Sequence, residues 1–222
     1  MRLNPGMSAL LSIAMTTVGV VAAPPAFAQS ACETGGAPPG AASKDVSDAY
    51  GQPATLWITN EIVGITTGEG SGQTVIHSAS PLPRSALLVD AQQDGNHQII
   101  VSTGREALLY TVSGCTLTPV ADGQGTPLRL DLGHRMNTGD GIGCSDLGDG
   151  RHLVGLLRIR DQPGEPLLGV RRTEIDLNGA TATTGRTDTV TATSEQDPAW
   201  TSAGTISCGD LTIARDGVQA SY

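Results

Sequence analysis

Aromatic side chains are scarce in this chain. Its 222 residues include one phenylalanine, two tryptophans and three tyrosines. Sugar-binding clefts and protein-binding hot spots use flat rings because they offer large contact area at small entropic cost. Their scarcity argues against a carbohydrate-active enzyme. Lysine is rarer still, since Lys44 is the only one, and acids outnumber bases 22 to 13. Nucleic acid and anionic membrane surfaces both repel an acidic protein, so neither is expected as a partner. Catalytic motifs are missing as well. The four histidines, His77, His97, His134 and His152, stand at no metal-ligand spacing. Gly68-Glu69-Gly70-Ser71-Gly72 lacks the spacing of a serine-hydrolase elbow and reads as a hairpin loop. No phosphate loop of G-x-x-x-x-G-K type occurs.

The single long apolar stretch lies at the start. Arg2 precedes Met7–Ala23, and Ala26 and Ala28 supply the small residues that signal peptidase requires. Residues 1–28 are expected to be a cleaved signal peptide, because the stretch is too short and too diluted by Ser, Thr and Gly to span a bilayer. Cleavage would remove one basic residue and no acid, leaving 12 basic and 22 acidic residues and a net charge of −10. The mature chain carries no predicted transmembrane span, and the expected location is secreted or in the cell envelope. Lipidation at Cys32 is a lesser alternative, since Gln29-Ser30-Ala31 lacks the usual upstream apolar residue.

All four cysteines, Cys32, Cys115, Cys144 and Cys208, follow the cleavage site, and none forms a C-x-x-C pair. In an exported chain this predicts two disulfides. Three pairings are open, and Cys115–Cys144 with Cys32–Cys208 is the one expected here. It would join neighbouring segments and tie the N-terminal arm to the last strand.

Residues 29–49, rich in Gly, Pro and Ala, read as a flexible lead-in. From residue 50 to 222 one β-rich domain is expected. Short β-type runs alternate there with Gly, Asp, Asn and Pro clusters. In Val170–Leu177, Thr173, Ile175 and Leu177 fall on one face and Arg172, Glu174 and Asp176 on the other, the period of a strand with one face in water. Asn178-Gly179 follows, a strong hairpin signal. No later segment shows a sustained helical period. The expected fold is mainly β, either an antiparallel β-sandwich or a degenerate propeller-like arrangement, with at most a short helix or two.

Leu87–Val101 runs from a strand through Asp90-Ala91-Gln92-Gln93-Asp94-Gly95-Asn96 into an apolar strand. This segment resembles an FG-GAP or VCBS-type repeat, whose acidic loop holds Ca²⁺ between propeller strands. Cys144–Val154, with Asp146-Leu147-Gly148-Asp149-Gly150, is a shorter echo. Residues 85–210 also resemble a type of small exported actinobacterial protein, through Cys115-Thr116-Leu117, the stretch from Gly139 to Cys144, and a late cysteine. The resemblance implies an extracytoplasmic β fold, and it implies Asp90 and Asp94 as calcium ligands. Gln92 and Gln98 stand where the repeat family has acids, which removes charge that a hard cation needs. The same loops can serve as turns, with Asp side chains bonding nearby backbone amides.

A non-catalytic exported module that binds an extracytoplasmic protein, or sits in the cell envelope, is the expected function. The alternative is a secreted hydrolase using loop carboxylates among Asp90, Asp94, Asp140, Asp146 and Asp149.

Overall fold

The computed structural model describes residues 32–133, 140–160 and 168–221. The expected signal peptide and His134 lie outside the described residues. Alternating and continuous apolar runs form three antiparallel sheets, each built on a meander of consecutive strands. The first contains β1 (Ala42–Asp45), β2 (Ala54–Ile58), β3 (Ile62–Thr67) and β4 (Gly70–Val75), paired in that order. The second is built from β5 (Ser85–Val89), β6 (His97–Ser102), β7 (Glu106–Ser113) and β8 (Thr116–Pro119). After β9 (Ala121–Asp122), β10 (Arg129–Asp131) returns to pair with β7. The third sheet contains β11 (Asp140–Asp146), β12 (Arg151–Arg160), β13 (Leu168–Asn178) and β14 (Thr181–Thr191). A small hairpin of β15 (Ser207–Cys208) and β16 (Leu211–Thr212) follows, and β17 (Val218–Gln219) closes onto β5.

The second sheet is the middle layer. Leu88, Ile99 and Val101 pack with Leu56, Ile58, Val63 and Ile65 of the first sheet. Leu87, Val89 and Ile100, on the opposite face, pack with Ile142, Leu153 and Ile175 of the third. A strand buried on both faces reads as an unbroken apolar run, as Ala86–Val89 and Ile99–Val101 do. The outer face of the third sheet buries Val154, Leu156 and Val170 beneath Trp200 of helix α2 (Pro198–Ser202). The fold is therefore mainly β and antiparallel, as expected. Its helices among the described residues are single turns: α1 (Ser47–Tyr50), α2 and α3 (Ile213–Asp216).

Both expected cysteine pairings are corrected. The disulfides are Cys32–Cys115 and Cys144–Cys208. Cys115 sits in the β7–β8 turn of the middle sheet with its carbonyl against Gly72 of the first sheet. It therefore faces away from Cys144 in the third. Cys144 lies on β11, beside which the chain returns with Ile206 bridging Ile142, and this brings Cys208 within reach. Bonding to Cys115 occupies the Cys32 sulfur, which rules out a thioether-linked lipid on the same atom.

The segment expected as a lead-in also differs. β1 lies within it and the first helical turn starts there, at Ser47, and the Cys32 arm pairs Glu33 with Ser71 on β4. The glycine-rich stretch at 68–72 is only half loop. Gly70, Ser71 and Gly72 belong to β4, and glycine is required there by close approach. A Cβ on Gly72 would run into the Cys115 backbone, and one on Gly70 would sit 3.1 Å from Cys32 Cβ. The β13–β14 hairpin is present, one residue later than Asn-Gly would centre it. Asn178 pairs with Thr181, and Gly179 takes the first central position with φ of 58°, as type II′ turns require.

Candidate functional site

The two acidic loops are hairpin turns, β5–β6 and β11–β12. Asp90 accepts the amides of Asp94 (3.2 Å) and Gly95 (3.0 Å). Asp94 accepts the amide and side chain of Asn96. Gln98 is buried and accepts the Ala91 amide at 3.0 Å. In the echo, Asp146 accepts the amide of Gly148 at 2.7 Å. The two turns are joined by Arg151, whose guanidinium donates to the carbonyls of Asp90 and Ala91. A Ca²⁺ loop needs its oxygens turned toward one point and no cation already among them. Here the carboxylates turn toward amides and an arginine takes the carbonyls. Among the described residues no three His, Cys, Asp or Glu side chains gather as metal ligands. We expect millimolar Ca²⁺ to leave the melting temperature unchanged, and Asp90→Ala to cost about 1–2 kcal/mol as a lost turn clamp. A rise with Ca²⁺ that Asp90→Ala abolishes would show a working metal loop instead.

Of the other carboxylates expected in a hydrolase, Asp140 opens β11, and Asp149 joins a charged cluster on the outer face of the third sheet. His152 Nε2 lies 2.9 Å from Asp149, and its Nδ1 lies 2.8 Å from Glu174, an ion-pair approach rather than an aligned hydrogen bond. Arg186 bonds Asp149 and reaches Glu174 at 3.4 Å. Arg172 grips Asp188 through both Nε and its terminal nitrogen. The Arg186 hydrogen bond holds the Asp149 carboxyl below its usual range, and Arg172 does the same for Asp188. His77 follows β4, and His97 opens β6 with its ring against Tyr50 at 4.7 Å.

A bulge places Arg186 in this cluster. Thr187 pairs with Thr173, whereas Thr184 pairs with Ile175, so Gly185 and Arg186 together oppose Glu174. Such a bulge re-aims the side chains beyond it. Glu174 lies over Gly185, where a Cβ would collide with it, and accepts the Arg186 amide at 3.2 Å.

β14 is also an open edge. Its neighbour β9 pairs only with Thr181 and Ala182. Asp122 then accepts the amides of Gln124 and Thr126, both at 2.9 Å, and turns the chain away. Among the described residues, Thr183–Thr191 pairs with β13 alone, and most of it is exposed on both faces. A groove of about 430 Å³ opens where β9 departs, lined by Leu128, Leu130, Ile175, Ala182, Thr183 and Thr184. Asp90, Asp94, Asp140, Asp146 and Asp149 do not line it. Sequence reasoning placed a hairpin at Asn178-Gly179 but missed the edge that its second strand forms. The available signal was threonine on both faces of one strand, a pattern that leaves no face for a core.

No protein-family model matches the chain, and comparison with curated proteins and with solved structures returns no match. Two disulfides fit an oxidising, extracytoplasmic compartment, and no helix among the described residues is long and apolar enough to cross a membrane.

Proposed function

We propose that the chain is an extracytoplasmic interaction module that takes a β-strand of a protein partner along the free edge of β14. The observation that carries this is the run Thr183–Thr191, which among the described residues is bonded on one side only. Unpaired strand edges present rows of N–H and C=O groups that a further strand can complete. Main-chain bonds then supply affinity, and flanking pockets select side chains. The groove beneath Thr183 and Thr184 supplies such a pocket, with Leu128, Leu130 and Ile175 at its walls.

Photo-crosslinking tests the reading. A benzophenone amino acid at position 187 should give covalent protein adducts in the producing cells. The same group at Asn60, in the exposed β2–β3 turn, should give none. Equal labelling from both positions, or none from 187, would overturn it.

A further inference from the structure

The reading of β14 as a docking edge leaves its occupant open, and we infer that the occupant is a second copy of this chain, paired antiparallel about a two-fold axis midway between Thr187 and its own copy. The inference rests on that reading and on the charge order of the strand. Two identical edges that pair about an axis normal to the sheet set residue i against a partner residue on the same face, so the axis passes midway between one residue and its own copy. Within the edge, centring on Thr187 places Arg186 opposite the partner's Asp188, and Asp188 opposite the partner's Arg186. Centring on Asp188 would set that carboxylate against itself, and like charges directly opposite destabilise a sheet.

The remaining pairs agree with this register. Thr187 meets its own copy, and with Gly185 and Arg186 counted as one bulged position, Thr184 meets the partner's Thr189 on the inner face and Thr183 meets the partner's Val190 on the outer face. Threonine and β-branched cross-strand pairs are favourable. Arg186 and Asp188 share a face, because they are two positions apart on the strand, and it is the outer face, where Arg172 pairs with Asp188. Their side chains remain 42% and 43% exposed despite their intrachain ion pairs, so each has donors or acceptors left for a neighbour. The result would be one continuous sheet crossing both copies, with no open edge between them.

Sedimentation velocity of the purified full mature chain tests this, with three kinds of variant. The parent should sediment as a dimer at micromolar concentration. Arg186→Asp and Asp188→Arg should each weaken the dimer roughly tenfold or more, and the double swap should restore it. Those residues also make intrachain ion pairs, so Thr187→Lys, at an exposed position, provides an independent break. It sets two lysines against each other at the axis. Thr187→Cys should form a covalent dimer under mild oxidation, whereas Thr183→Cys should not, since it faces the partner's Val190. A monomer at every concentration would overturn the inference. So would a dimer indifferent to Thr187→Lys and not linked through Thr187→Cys. In either case, photo-adducts from position 187 with another protein would leave the docking edge standing with a different occupant.

Discussion

Removing the Cys144–Cys208 bridge should lower stability by about 4 kcal/mol. The cysteines are 64 positions apart, and constraining a loop of that size removes about this much chain entropy from the unfolded state. For a chain of this length the melting temperature should fall by roughly 8–16 °C. The bridge joins β11 to β15, where Ile142 and Ile206 share a buried apolar cluster with Cys208, and the backbones approach closely. Gly141 has the Ala203 carbonyl 2.6 Å from where its Cβ would sit, and Gly143 has Leu156 at 2.8 Å. Thermal unfolding of a Cys144→Ser/Cys208→Ser variant measures the effect, and a drop of only a degree or two would show that the β15 region docks without it.

Trp57→Ala should cost about 3–5 kcal/mol, as large-to-small changes in a filled core do. Trp57 is 1% exposed, yet it points away from the core shared by Leu56 and Ile58. Its ring lies directly over Gly64, where a Cβ would collide with it. Its indole N–H donates to Thr66 at 3.3 Å, and the disulfide-tied arm at Glu33–Gly36 closes a small cavity beside it. Gly64→Ala should therefore be destabilising as well, by about 1–3 kcal/mol from overpacking. The two should not add. In the double variant the new methyl enters space the ring has left, so its loss should be no larger than that of Trp57→Ala alone. Denaturant unfolding of the four proteins tests this cycle, and strict additivity would mean that ring and glycine do not share the space.

Much of the fold was legible. The runs at Ala86–Val89, Ile99–Ser102 and Ala107–Val112 lie within β5, β6 and β7, and the alternation of Thr173, Ile175 and Leu177 marks the inner face of β13. The candidate edge was legible only as a strand. Whether a strand is central or at an edge depends on what lies beside it, and β9 is distant in sequence and pairs with β14 for only two residues. The Asp90 loop could be read as an acidic turn, but its cation is Arg151, supplied from the third sheet sixty residues away. No local spacing encodes that contact.

The sequence by itself determined the β class, the strand runs, the β13–β14 hairpin and an even set of cysteines ready to pair. Each of these follows from backbone dihedral preference and side-chain period, which act over a few residues. Only the tertiary structure decided which cysteines meet, which sheet lies in the middle and where an edge stays open. Those outcomes depend on which apolar faces cover one another, a choice made between segments far apart in the chain.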